Sequence, residues 1–184
     1  MLSILPLTPP LLPYLDQVDS RYLVGELVAL KVSRQGFGLE YNPVNKAQWH
    51  VWQPAPLFYP EDLVQRDDVV CFLAFRDGQL AGQAMVMQHF NRLAMIFDIR
   101  VDVAMRREGI GEELVAACRD WAKRQGLGGL AAETSDTNPG ACQFFEKCGL
   151  RLGGVDRMRY GALPEQSIRP PALRDCALTF YQLF

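Results

Sequence analysis

Histidine is scarce in this chain: among 184 residues only His50 and His89 occur. The five cysteines, Cys71, Cys118, Cys142, Cys148 and Cys176, contain no C-x-x-C pair. Neither residue type reaches the usual zinc-ligand spacings, so no metal site is expected. Unpatterned thiols suit a reducing compartment, where cysteine serves as a small apolar packing residue. Long hydrophobic runs are missing as well. No stretch approaches the ~18 apolar residues of a membrane helix. The apolar start is broken by Pro6, Pro9, Pro10 and Pro13 and has no basic segment ahead of it, unlike a secretory leader. The expectation is a cytoplasmic protein without membrane contact. An excess of one charge sign is also absent, with 19 Lys+Arg against 21 Asp+Glu and a net charge of −2. Nucleic-acid binding through a basic face needs surplus cations opposite phosphates, so that class is disfavoured. What is present is ordinary globular composition, 49% hydrophobic and 22% charged. A chain of this length buries roughly two-thirds of its unfolded surface and needs no covalent staple.

Residues 1–20 are proline-rich and read as an irregular lead-in docked on the body. Residues 21–32 are mostly apolar, and periodicity leaves strand and short helix open. Residues 33–68 carry Gly36, Gly38, Pro43, Pro54, Pro56 and Pro60 among aromatics. They read as a loop-rich insertion with a short helix or strand, placed to cover a pocket. Val69 to Phe75 is a β-rich run, and the Asp77-Gly78 turn that follows is a hairpin signal. Leu80 to Gln88 and Leu93 to Val101 complete a three-stranded antiparallel meander. From Gly109 the period lengthens: Ile110, Leu114, Cys118, Trp121 and Ala122 share one face of a helix that ends at Gly126. Leu130 to Thr134 is a buried strand. Asn138-Pro139 opens a second helix, with Asn at the cap and Pro at the first helical position, running to Gly149. Strands near 150–160 and 176–183 follow. The order β-β-β-α-β-α-β-β predicts a mixed sheet.

The stretch Ile99 to Leu114, IRVDVAMRREGIGEEL, carries the chemistry. A strand ends, a short loop follows, and Arg106 to Gly111 opens the long helix. Gly109 and Gly111 let backbone approach a ligand closely. The first helical turn leaves N–H groups without intrahelical partners and carries partial positive charge. With Arg106 and Arg107 beside it, such a loop makes a pyrophosphate cradle. It is not a P-loop, because no Lys-Ser/Thr follows. Nor is it the dinucleotide fingerprint, because a meander precedes it instead of a βαβ unit.

R-x-x-G-x-G at 106–111, behind the strand Ile99-Arg100-Val101-Asp102, resembles the acetyl-CoA-binding motif of the GNAT N-acetyltransferases. A second segment, Asn138-Pro139-Gly140-Ala141-Cys142-Gln143-Phe144-Phe145-Glu146-Lys147-Cys148-Gly149-Leu150, resembles that family's N-x-x-A-x-x-F-Y-E-K-x-G-F helix. Glu133 to Asn138, Gly153-Gly154-Val155-Asp156 and the aromatic C-terminal strand are similar to the streptothricin acetyltransferases within it. The resemblance is good over 69–184 and weak over 1–68. It implies an α/β (α+β) fold whose mixed, mostly antiparallel central sheet is flanked by helices. It further implies that 69–184 is the acetyl-CoA-binding core and 1–68 a variable part on the substrate side, in one continuous domain.

The resemblance assigns pantetheine pairing to the backbone of Ile99, Arg100 and Val101. Pyrophosphate binding falls to Arg106, Arg107, Glu108, Gly109, Ile110, Gly111 and Glu112, with Asn138 and Phe145 contributing from the second helix. The cosubstrate implied is acetyl-CoA, and the partner a small cationic amine, in a chain compatible with a homodimer. An aliphatic amine, pKa near ~10.4, must lose a proton before it attacks. Glu133 and Asp98 are the candidates for that step, or for holding the substrate cation. Asp136 and Asp156 would add negative potential, or serve only as turn acids. A backbone N–H near Val101 is the candidate donor to the oxyanion. Many family members place a tyrosine where Phe145 stands, to protonate the leaving thiolate. Phe145 cannot, which leaves Tyr160, a water, or unassisted departure. Tyr41, Trp49, Trp52, Phe58 and Tyr59 are candidates to wall the substrate site. Three readings follow: a streptothricin-type acetyltransferase, a GNAT for a polyamine, amino acid or protein N-terminus, and a CoA-binding regulatory domain without catalysis.

Overall fold

In the computed structural model, residues 1–34, 36–52, 57–160 and 175–184 are described. The chain divides into two compact units: Met1–Ser20, Ala55–Ala131 and Leu183–Phe184 form the first, and Arg21–Pro54 with Ala132–Gln182 the second.

The first unit is built on the expected meander: β4 (Val69–Arg76), β5 (Gln79–Gln88) and β6 (Ala94–Val101). Its strands pair antiparallel, β4 with β5 and β5 with β6. The near-continuous apolar run in β4 has a physical reason, since both of its faces are covered. Cys71, Leu73 and Phe75 pack with Leu7, Leu63, Val69 and Met85 on one side. The other side meets α2 (Ile110–Arg124), which buries the predicted stripe of Ile110, Leu114, Cys118, Trp121 and Ala122. Gly82 makes this approach possible, because a Cβ there would stand 2.7 Å from the Arg100 carbonyl oxygen and 3.1 Å from Leu114 Cδ1.

The lead-in departs from the irregular reading. Leu2–Pro6 is a strand, β1, paired antiparallel with β4, and Pro9–Tyr14 is a 3-10 helix. β1 pairs through residues 72–76, a partner some seventy positions away in sequence that proline content does not reveal.

The second unit corrects the largest expectation. Tyr22–Ser33 (β2) is a strand, and Gly36–His50 (β3) is its fifteen-residue antiparallel partner where a loop-rich insertion was expected. Pro43 is what argues locally for a loop. It has no N–H for a ladder, and it sits where the register slips, Val24 opposite Gln48 and Glu26 opposite Pro43. The short helix of that segment is α1, Asp62–Gln65, in the first unit; Pro54 and Pro56 lie outside the described residues. β7 (Gly129–Ser135) leads into α3 (Pro139–Lys147), whose Asn138 caps the Ala141 N–H at 3.1 Å as the sequence predicts. β8 (Arg151–Asp156) and β9 (Ala177–Leu183) pair antiparallel, and Phe145 and Phe180 meet in the core with ring centroids 5.6 Å apart.

Candidate active site

In the first unit the β6–α2 junction forms a backbone cradle. Asp102 ends β6 and accepts the Ala104 N–H at 2.9 Å. The chain then passes through two left-handed residues, Arg107 at φ 69° and Gly109 at φ 83°, before α2 begins. A left-handed arginine is uncommon and costs local strain, a feature concentrated at functional sites. Residues of alternating hand turn successive N–H groups to the same side, and the first turn of a fifteen-residue helix adds its own N–H groups and positive end. The loop is pinned from both ends. Arg106 Nε donates to the Val101 carbonyl at 3.0 Å, and Arg76 Nη2 donates to the Glu108 carbonyl at 3.2 Å. Burial lowers the Arg106 guanidinium below its ordinary value, against the opposing charges of Asp19 and Asp102. Arg107 and Glu108 are exposed, whereas Ile110 and Gly111 are buried. The cradle fits a pyrophosphate: its donors are main-chain, its arginines are adjacent, and the helix end is electropositive.

Upstream, β6 carries a bulge. Met85 pairs with Asp98 and Val86 with Ile96, so Phe97 is the extra residue. Ile99, Arg100 and Val101 stay in register with Ala84, Gln83 and Gly82. Asp98 is not a free carboxylate. Its Oδ1 accepts from Arg100 Nε at 2.7 Å and its Oδ2 from Gln83 Nε2 at 2.7 Å. Burial pushes its carboxyl above the ordinary range, against the pull of Arg100. Asp16 joins the same network through Arg100 Nη1 at 3.1 Å and Gln83 Nε2 at 2.9 Å.

In the second unit Glu133 stands on β7, and its side chain is 24% exposed. A single oxygen, Oε1, accepts from the Tyr160 hydroxyl and from Arg159 Nε, each at 3.2 Å. The Tyr160 ring is buried and lies tilted against Trp52 at 4.9 Å. Burial first, then the Glu133 charge, raises the Tyr160 phenol well above its ordinary value, so it remains a donor. Phe145 is 2% exposed and packs into the core between Phe144 and Phe180. The other candidate aromatics are dispersed. Tyr41 donates to Glu146 at 3.3 Å, Phe58 packs on Phe97, the Arg21 guanidinium lies over Trp49, and Tyr59 is exposed. Asp136 is buried and accepts the Cys176 N–H at 2.8 Å, and Asp156 caps the Met158 and Arg159 N–H groups.

Residues 39–150 match the model of the acetyltransferase (GNAT) family. The chain belongs to that family. This GNAT chain is 31% identical over 149 residues to a streptothricin acetyltransferase of Escherichia coli, covering 81% of each. It is 33% identical over 101 residues to streptothricin acetyltransferase A of Bacillus subtilis, covering 55% of this chain and 58% of that one. Its fold matches the crystal structure of a candidate streptothricin acetyltransferase of Bacillus anthracis in complex with acetyl coenzyme A. That match has a TM-score of 0.85 and 26% identity, and spans 100% of this chain and 98% of that one. The GNAT chain is therefore an acetyl-CoA-dependent N-acetyltransferase, and the expected α/β fold stands. Among the described residues no group of three or more His, Cys, Asp or Glu is placed to hold a metal ion. No helix there is long and apolar enough to cross a membrane.

Three residues of this GNAT chain have defined contacts that no sequence motif marks: Gln83, Asp16 and Arg159. Gln83 had a readable signal, a lone amide inside the apolar run LAGQAMVM. Arg159 had none, because its partner lies 26 residues away.

Proposed function

We propose that this enzyme acetylates an aliphatic amine of a small polycation of streptothricin type. The observation that carries the reading is Glu133. It is a partly exposed carboxylate with one oxygen already oriented by a buried phenol. The streptothricin acetyltransferases it resembles supply the substrate class. Acetyl-CoA supplies an activated acetyl thioester. Backbone N–H groups from Arg106 to Glu112 hold the pyrophosphate and the backbone of Ile99 to Val101 the pantetheine arm, whereas Phe145, 2% exposed in the core, is a packing residue and not a cofactor contact.

Glu133 receives the ammonium and takes its proton, directly or through one water, leaving a neutral nucleophile. The Tyr160 hydroxyl donates to the Glu133 carboxylate and fixes it. Asp98 is assigned to positioning and not to proton removal, because both of its oxygens are engaged in holding Arg100 and Gln83. Trp52, packed on Tyr160, supports a role for part of residues 1–68 on the acceptor side. Reduced thiols fit a cytoplasmic setting.

The experiment is release of free CoA from acetyl-CoA across a panel of amines. Streptothricin is expected to turn over, with the ordinary amino acids and an N-terminal peptide well below it. Turnover confined to a polyamine or to the peptide would replace the acceptor. Acetyl-CoA binding with no turnover on any amine would favour a regulatory CoA-binding domain.

A further inference from the structure

The Glu133 carboxylate already holds a cation. Arg159 Nε donates to Oε1 at 3.2 Å, and its side chain is 60% exposed against 24% for Glu133. On the buried side the same oxygen is held by the Tyr160 hydroxyl. An ammonium that takes Oε1 therefore meets Arg159 there. Exposed pairs of this kind are worth ~0.2–1 kcal/mol and break readily, since a released guanidinium is fully solvated by water. Tyr160, buried and backed by Trp52, has no such freedom.

We propose that Arg159 is a resident cation on Glu133 Oε1 which the acceptor ammonium displaces from that oxygen, making it a specificity residue that selects strongly cationic amines. This rests on the reading of Glu133 as the acceptor carboxylate. A weakly basic or neutral amine gains nothing from Glu133 that Arg159 does not already have. A polycation replaces one cation by another. Because the contact is lost before chemistry, Arg159 acts on acceptor binding and leaves the acetyl-CoA side untouched.

The test combines kinetics with a direct view of the guanidinium. Arg159→Gln is expected to lower KM for streptothricin by ~2–5-fold, the fold-change of an exposed ion pair, with kcat and the acetyl-CoA dissociation constant unchanged. Arg159→Lys is expected to restore the wild-type KM. Without turnover, the Arg159 Nε–H resonance in an ¹⁵N-arginine spectrum, assigned by its loss in Arg159→Lys, should move towards its position in Glu133→Gln when streptothricin is added. An unmoved resonance at saturating streptothricin, or a KM unchanged or raised in Arg159→Gln, overturns the proposal. If Glu133→Gln itself leaves streptothricin KM and kcat unchanged, the reading of Glu133 falls with it. If Glu133→Gln is impaired while Arg159→Gln is not improved, only the displacement idea falls.

Discussion

Gln83 is the residue on which most of the first unit's polar interior converges. It is fully buried, its Oε1 accepts the Asp16 N–H at 2.9 Å, and its Nε2 donates to both Asp16 and Asp98. Asp98 would otherwise be a buried carboxylate with one partner fewer, which is costly in a low-dielectric interior. Through Asp16 the same amide fixes a segment whose Asp19 N–H and carbonyl hold Asp102 and Val103, at the end of β6. Replacing Gln83 by Leu keeps the volume and removes the three bonds the amide makes to Asp16 and Asp98. We expect a stability loss of about 1–3 kcal/mol, read as a lower urea midpoint with an unchanged slope. A midpoint equal to wild type would show that the network contributes nothing net.

At the scale of elements, the β6–α2 junction depends on backbone hand more than on side chains. Gly109 has room for a Cβ but not the conformation for one, because φ is +83° and nothing lies within 4 Å of the added atom. Gly109→Ala therefore isolates backbone strain from steric clash. It should cost about 1–2 kcal/mol and weaken acetyl-CoA binding by calorimetry, with α2 still formed. An unchanged dissociation constant would remove the cradle from the account. This junction was legible in the sequence because its determinants are local: two glycines, two arginines and a change of period within ten residues. The meander, the α2 stripe and the Asn138 cap were legible for the same reason. β1 and β3 were not. Each is a strand only because of a partner, Phe72–Arg76 for β1 and Tyr22–Ser33 for β3, and proline and glycine argued locally for loops. The Asp16–Gln83–Asp98–Arg100 network was hidden likewise, since Gln83 meets Asp16 across 67 residues.

Across the whole molecule, each kind of chemistry has its own unit. The first carries the β6–α2 cradle proposed for the pyrophosphate, and the second carries Glu133, the proposed acceptor carboxylate, with Tyr160, Trp52 and Arg159. A net charge of −2 conceals this division, because a site for an anionic cosubstrate and a cationic acceptor needs both signs locally and neither in excess. The thiols stand apart from it. Cys118 and Cys142 are buried, and burial pushes both up to about 12, far from a nucleophile at neutral pH. The proposed reaction makes no use of these two thiols and centres on Glu133. The most direct test is steady-state kinetics of Glu133→Gln with acetyl-CoA and streptothricin, beside calorimetry of acetyl-CoA binding. A loss of ~10²–10⁴-fold in kcat/KM for the amine, with the acetyl-CoA dissociation constant unchanged, is the predicted result. Wild-type kcat/KM in Glu133→Gln would contradict it.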